Sequence, residues 1–243
     1  MSVRDVIVLP TKPAVARAAA DRIVDAAASA ITARGRFTIA LSGGSTPRAM
    51  FQLLASDAYR TRIEWARVDV CFGDERCVPP HDPASNYRMA REALLDHVPA
   101  RVHRMRGEDE PAAAAAAYER ELRELFGEAP RFDIVLLGMG DNGHTASLFP
   151  GLRAVEERER WVVAEYVAEV SMWRLTLTPV VLNAAAEVLF LVAGADKAAM
   201  LHRVLEGPRD VRALPAQVVA PRDGRLAWLV DAGAAAKLVR RPA

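Results

Sequence analysis

The side chain best suited to acid–base chemistry in this sequence is His144, which lies in the glycine-rich segment 138–145 (GMGDNGHT). An imidazole titrates close to neutral pH, so it can take a proton from water without a costly pKa shift. The surrounding glycines let the backbone approach a ligand closely, and none of the other four histidines has a comparable setting. We therefore predict that His144 is a catalytic base.

A second loop suited to chemistry is Ser42-Gly43-Gly44-Ser45-Thr46, which follows a predicted strand and precedes a predicted helix. Free N–H groups at a helix start, together with three hydroxyls, predict a cradle for a phosphate group. The loop matches neither the Walker pattern nor the dinucleotide-binding pattern. The alternative is an ordinary turn in which Thr46 caps the helix and Pro47 takes its first position.

A third loop carries Asp74, Glu75 and Arg76 directly after another apolar strand. Carboxylates accept hydrogen bonds from sugar hydroxyls, and a guanidinium binds a phosphate or carboxylate through two hydrogen bonds. A surface turn held by salt bridges is the alternative. Ser85, a little further on, is expected to cap the next helix rather than to contact a ligand.

Two cations in the second half of the chain, Arg174 and Lys197, also follow predicted strands. A lysine at a helix start is unfavourable by up to about 1 kcal/mol, because the helix dipole is already positive there. A bound anion would offset this cost, which makes Lys197 a candidate phosphate ligand. Either side chain, taken alone, could instead simply extend into solvent.

These loops belong to a chain in which short apolar strands alternate with longer helices, which predicts an α/β fold. We expect one Rossmann-like domain over residues 1–243, with a largely parallel, doubly wound sheet and helices on both faces. Ligands bind such sheets at the carboxyl ends of the strands. The predicted strands are Val6–Leu9, Phe37–Leu41, Val68–Phe72, Ile134–Leu137, Leu175–Thr178, Val188–Val192 and Leu226–Val230. The predicted helices are Pro13–Ala33, Pro47–Leu54, Ser85–Leu95, Pro111–Phe126 and Lys197–Leu205.

Composition excludes several classes of function. With 32 Lys and Arg against 31 Asp and Glu, the net charge of +1 argues against nucleic acid as a partner. No secretory signal and no apolar run long enough to cross a bilayer is seen, so we expect neither a membrane partner nor export. Cys71 and Cys77 have no metal-binding spacing, and a reduced cytoplasmic protein is the natural interpretation.

Taken in order, the segments Leu41–Pro47, Phe72–Pro79 with 85–87, Leu137–Pro150, and Arg174–Pro179 with Gly194–Lys197 resemble the 6-phosphogluconolactonase family. That family is related in fold to the glucosamine-6-phosphate deaminases. The resemblance implies hydrolysis of 6-phospho-D-glucono-1,5-lactone to 6-phosphogluconate in the oxidative pentose phosphate pathway. It also implies a cytosolic enzyme without an obligatory organic cofactor or catalytic metal, acting on a small phosphorylated sugar lactone. We expect a monomer or weak homo-oligomer.

The same resemblance assigns roles to individual residues. His144 matches the catalytic histidine, while Asp74 and Arg76 match polar residues that line the substrate site. The glycine–serine loop, Arg174 and Lys197 match the region that holds phosphate. Asn142 stands where both families commonly carry Asp, so an ionised acid is missing at that position.

Two other functions compete with lactone hydrolysis. The first is an amino-sugar-6-phosphate deaminase or isomerase; its family carries an acid shortly after the histidine, where this chain has Phe149. The second is a non-catalytic sugar-phosphate sensor, which His144 and the lack of a DNA-binding segment argue against. No serine lies in a Gly-x-Ser-x-Gly elbow, so a serine-hydrolase mechanism has no support.

Overall fold

The computed structural model describes residues 4–239. Within this range the strands are β1 (Arg4–Leu9), β2 (Phe37–Leu41), β3 (Val68–Phe72), β4 (Asp74–Arg76), β5 (Arg101–Val102), β6 (Ile134–Leu137), β7 (Val162–Val167), β8 (Met172–Leu177), β9 (Glu187–Val192) and β10 (Arg225–Asp231). The α-helices are α1 (Lys12–Arg34), α2 (Ser45–Ala55), α3 (Asp57–Arg60), α4 (Asn86–Ala93), α5 (Pro111–Phe126), α6 (Pro179–Leu182) and α7 (Ala198–Glu206). Short 3₁₀ turns join several of them.

Seven of these strands form one parallel sheet in the order β1-β10-β9-β6-β2-β3-β5. Every residue of β2, β3, β6 and β9 is buried, so these strands are covered on both faces. That explains why their sequences are almost continuously apolar. The predicted α/β fold with a largely parallel sheet is therefore confirmed.

The chain changes direction in this sheet at the neighbouring strands β2 and β6. After β2 it adds β3 and β5 on one side, and then returns to build β6, β9 and β10 on the other. A crevice forms outside the carboxyl ends of strands at such a switch point. It brings the loop after β2 next to the loop after β6, which are the two glycine-rich loops of the sequence.

A separate antiparallel sheet, β4-β8-β7, lies beside the first. The predicted strand Leu175–Thr178 falls in β8 except for Thr178, which precedes α6, and the predicted loop around Asp74 is the short strand β4. Three consecutive charged residues do not predict a strand, since β propensity favours branched and aromatic side chains. The segment is extended because β4 pairs with β8.

Helix starts and ends follow local chemistry in α1 and α4 but not in α2. Thr11 caps α1, and Gly35 ends it with a φ of 74°. Ser85 caps α4 as predicted, accepting a hydrogen bond from the Arg88 N–H at 3.1 Å. In α2, Thr46 lies inside the helix and does not cap it, so the alternative of an ordinary turn capped by Thr46 is not seen. Gly44 caps it with its backbone, which leaves the first N–H groups without a side-chain partner.

The core lies on both sides of the large sheet. Phe190 of β9 and Trp228 of β10 stack with their ring centres 3.7 Å apart, and α1 packs across β9, β10 and β2. No helix among residues 4–239 is long and apolar enough to cross a membrane.

Candidate active site

A cleft of about 490 Å³ opens at the carboxyl ends of β2 and β6. It is the meeting place of the loops that the sequence singled out, and every residue predicted for catalysis or phosphate binding lines it. Those residues are Ser42, Gly43, Gly44, Ser45, Thr46, Asp74, Arg76, His144, Arg174 and Lys197.

His144 is held in the cleft by Asn142, two residues earlier. The Asn142 Oδ1 atom accepts a hydrogen bond from the His144 backbone N–H at 3.1 Å and lies 2.7 Å from His144 Nδ1. Because a carbonyl oxygen only accepts, Nδ1 must carry the proton when the ring is neutral. Nε2 then has a free lone pair, which is the form a general base needs.

Phe149 stacks on His144, with ring centres 4.0 Å apart and planes inclined by 16°. Phe149 is itself buried, so it fixes the plane of the imidazole and shields one face from water. The burial of His144 lowers the pKa of its imidazole. The positive charges of Arg174 and Lys197 lower this pKa further, whereas the negative charges of Asp74 and Glu169 raise it. The net direction is downward, so the neutral base persists to lower pH than in a free histidine.

Two positions of the cleft must be glycine, because a neighbouring side chain lies where a Cβ atom would be. A Cβ on Gly140 would lie 2.0 Å from Cε1 of His144, and a Cβ on Gly43 would lie 2.1 Å from Oδ1 of Asn86. Neither distance is compatible with a side chain. The glycines therefore make room for the imidazole of His144 and for the Asn86 amide that holds Asp74.

Asp74 is buried on β4 and held from two sides. Ser147 Oγ donates to its Oδ2 at 2.7 Å, and Asn86 Nδ2 donates to its Oδ1 at 3.1 Å. Both bonds hold the carboxylate in a fixed orientation. Asp74 can thus accept a hydrogen bond from a hydroxyl in the cleft.

Glu75 does not join this group, although the sequence placed it in the same acidic cluster. Side chains alternate along a strand, so Glu75 points away from the cleft. Its carboxylate accepts hydrogen bonds from the backbone N–H groups of Arg76, Asn86 and Tyr87 and from the Ser85 hydroxyl. Glu75 therefore joins β4 to the start of α4 and has a structural role.

Arg76 and Arg174 form the positive side of the cleft, and the Arg76 guanidinium donates to the carbonyl of Ala84. Burial lowers the pKa of Arg174, and the positive charge of Arg76 lowers it further. Nearby charges of the same sign are unfavourable at a partly buried site. An anion between or beside them would remove this cost.

The loop Ser42–Thr46 forms the wall of the cleft opposite Arg76 and Arg174. Ser42 is buried, and its hydroxyl has no hydrogen-bond partner among residues 4–239. Ser45 accepts a hydrogen bond from Lys12 Nζ at 2.7 Å, which brings a further cation to the start of α2. With the open N–H groups at Gly44, these features suit a phosphate.

Lys197 precedes α7 as predicted and reaches the cleft from the far side. Its ammonium group pairs with the carboxylate of Asp141, in the loop that carries His144, and lies 4.0 Å from Asp196. The pairing lowers the pKa of Asp141. Lys197 is thus partly neutralised by neighbouring acids.

Several residues of the site were not predicted from the sequence. Ser147, Lys12 and Glu169 contribute contacts, but each is far in sequence from the group that it contacts. No spacing signal connects such pairs. Within residues 4–239, no three His, Cys, Asp or Glu side chains come together in a way that could hold a metal ion.

Comparison with known proteins gives a consistent result. Residues 10–228 match the model of the family described as glucosamine-6-phosphate isomerases/6-phosphogluconolactonase. The chain is 40% identical to a 6-phosphogluconolactonase of Nostoc sp., over 97% of this chain and 98% of that protein. It is 39% identical to the 6-phosphogluconolactonase of Mycobacterium tuberculosis, over 95% and 97%. Among solved structures, the 6-phosphogluconolactonase of Trypanosoma cruzi superposes with a TM-score of 0.88 at 31% identity, covering 99% of both chains.

Proposed function

The chain belongs to the glucosamine-6-phosphate isomerase/6-phosphogluconolactonase family, and from this premise we propose that it hydrolyses 6-phospho-D-glucono-1,5-lactone to 6-phospho-D-gluconate. This is the second step of the oxidative pentose phosphate pathway. The observation that carries the proposal is the state of His144. Its Nδ1 faces Asn142 and its Nε2 has no hydrogen-bond partner among residues 4–239, inside a cleft that is also lined by Arg76, Arg174 and Lys197.

In the proposed reaction, His144 Nε2 takes a proton from a water molecule as the water oxygen attacks C1 of the lactone. The carbonyl oxygen becomes an oxyanion, which Arg76 and backbone N–H groups stabilise. The intermediate then collapses, the bond between C1 and the ring oxygen breaks, and the imidazolium returns its proton to that oxygen. The acid product ionises, so one proton is released in each turnover.

The phosphate is proposed to bind between the start of α2 and the cations Arg174 and Lys197. Three features support this position: the N–H groups after Gly44, the unpartnered hydroxyl of Ser42 and the positive charge on the opposite wall. Binding the phosphate there would fix the lactone carbonyl near His144 and lower the entropic part of the barrier. Asp74 would accept a hydrogen bond from a sugar hydroxyl.

The resemblance described above implies that the competing deaminase reaction uses an acid that follows shortly after the histidine. Phe149 occupies that position and stacks on the imidazole instead. A phenyl ring cannot carry a proton. The contact therefore favours hydrolysis over deamination for this chain.

The test uses freshly prepared 6-phosphoglucono-1,5-lactone and follows acid release at neutral pH, with the spontaneous rate subtracted. Glucono-1,5-lactone, which lacks the phosphate, is the control substrate. We expect strong acceleration of the first and a much lower kcat/KM for the second, since the phosphate supplies the binding energy. In parallel, ammonia release from glucosamine-6-phosphate tests the deaminase.

Three outcomes would count against the proposal. Equal rates for both lactones would contradict the phosphate site. Ammonia release without lactone hydrolysis would identify a deaminase. Tight binding of 6-phosphogluconate with no acceleration of either reaction would indicate a sensor.

A further inference from the structure

Glu169 lies at the tip of the β7–β8 hairpin and reaches the loop that carries His144. The Asn142 Nδ2 group donates a hydrogen bond to Glu169 Oε2 at 2.8 Å. Glu169 thus forms the outer end of a chain that runs through the Asn142 amide to His144 Nδ1. The hairpin tip belongs to the second sheet, whereas Asn142 follows β6 of the first.

This bond acts together with the His144 backbone N–H, which donates to Asn142 Oδ1, to determine which way the Asn142 amide faces. A carboxylate can only accept, so it attracts the NH₂ side of the amide and leaves the oxygen toward His144. If the amide turned over, its NH₂ group would face Nδ1 and would require Nδ1 to accept. The ring proton would then move to Nε2, and the nitrogen facing the cleft could no longer act as a base.

Glu169 also places a negative charge behind a neutral amide. At this position an Asp would act on His144 directly, whereas here the charge is one side chain further away. The charged groups around the ring come from five elements: Asp74 on β4, Asp141 on the catalytic loop, Glu169 at the hairpin tip, Arg174 on β8 and Lys197 before α7. Of these, Glu169 is the one hydrogen-bonded to the amide that holds Nδ1.

We propose that Glu169 is a positioning residue for the reaction, which acts through Asn142 to hold His144 in the tautomer with a free Nε2. The role rests on the proposed lactonase function, but the tautomer itself can be measured without turnover. Glu169 is exposed and the bond joins two loops. Replacing it should therefore leave the fold intact.

The experiment compares Glu169→Ala with Glu169→Gln in the full chain. Alanine removes both the acceptor and the charge, while glutamine keeps an acceptor oxygen for Asn142. We expect Glu169→Ala to lower kcat by about threefold to tenfold, the range for loss of one hydrogen bond, with KM unchanged or lower. Glu169→Gln should recover most of kcat. In both variants the acid limb of the pH profile should move to lower pH, because a charge that raises the pKa of His144 is gone.

The second measurement is ¹⁵N NMR of the imidazole, recorded near the alkaline end of the pH range. The parent protein should show protonated Nδ1 and unprotonated Nε2, and Glu169→Ala should show a mixture that includes the reverse tautomer. Glu159→Gln, an exposed acid that does not line the cleft, controls for the change in net charge.

The role of Glu169 would be overturned if Glu169→Ala had the same kcat, pH profile and His144 tautomer as the parent protein. Equal loss of kcat in the alanine and glutamine variants, with the tautomer unchanged, would also overturn it. If the parent protein fails to hydrolyse the lactone, the proposed function falls, while the NMR comparison still decides whether Glu169 sets the tautomer.

Discussion

Arg76 and Arg174 lie directly opposite each other on the antiparallel strands β4 and β8. The Nε atom of each is buried without a hydrogen-bond partner among residues 4–239. Like charges in facing positions destabilise a sheet, typically by a few tenths of a kcal/mol to about 1 kcal/mol. An anion bound beside these two guanidinium groups would offset this cost, which supports the proposed binding of a sugar phosphate.

Replacing Arg174 with alanine should therefore separate binding from stability. We expect KM to rise by about tenfold or more, because a charge-assisted hydrogen bond contributes about 1.5–3 kcal/mol. The free energy of unfolding should stay equal or increase, since the repulsion with Arg76 is relieved. Steady-state kinetics and urea denaturation measure the two quantities.

Arg153→Ala is a suitable control, because Arg153 is exposed and does not line the cleft. A parental KM in Arg174→Ala would remove this arginine from the phosphate site. A large loss of stability would mean that the two guanidinium groups do not repel each other appreciably.

Asn142→Asp should shift the pH dependence of the reaction. A carboxylate beside Nδ1–H stabilises the imidazolium, so the pKa of His144 should rise from its present lowered position. His144 must be neutral to accept a proton. The acid limb of the pH profile, where activity falls as His144 becomes protonated, should therefore move to higher pH. The pH profile of kcat measures this shift, and an unchanged or lowered acid limb would contradict the assignment of His144 as the base.

Gly140→Ala should impair catalysis without unfolding the protein. The added methyl group would lie 2.0 Å from the His144 ring, so the ring must leave its position on Phe149. We expect kcat to fall by about tenfold or more, since a displacement of about 1 Å at a reacting group can cost a hundredfold. Gly138→Ala in the same loop is the matched control, because its methyl group meets no atom within 4 Å. Equal effects of the two substitutions would contradict this explanation.

Ser147→Ala tests how much the hydrogen bond to the buried side chain of Asp74 contributes to stability. The substitution removes a 2.7 Å hydrogen bond between two buried groups. We expect a loss of about 1–3 kcal/mol in the free energy of unfolding, because the carboxylate loses a partner that water does not replace. Ser29→Ala, on the exposed face of α1, should change stability by less than about 0.5 kcal/mol. Similar effects in both variants would show that the bond to Asp74 contributes little.

The sequence predicted much of the large sheet because its strands are short, apolar and bounded by helices. The bounds of β2, β3 and β6 and of helix α5 agree with the prediction to the residue. Since parallel strands end at one edge, their loops could be expected to meet there. The grouping of His144 with the loop 42–46 therefore followed from local patterns.

The second sheet could not be predicted in the same way. Its strand β4 consists of three charged residues, and it pairs with β8 about 100 positions later. The facing of Arg76 and Arg174 and the reach of Glu169 to Asn142 both depend on this pairing. Long-range register of this kind leaves no periodic signal in a single sequence, so Glu75 was placed with the wrong group and Glu169 was missed.

The most direct test of the whole account is the turnover of His144→Ala on freshly prepared 6-phosphoglucono-1,5-lactone, measured together with its affinity for 6-phosphogluconate. We predict that kcat falls by about a hundredfold or more, the contribution of a general base, while product binding is largely retained because the phosphate site is intact. Parental turnover in this variant would contradict the assignment of His144 as the catalytic base.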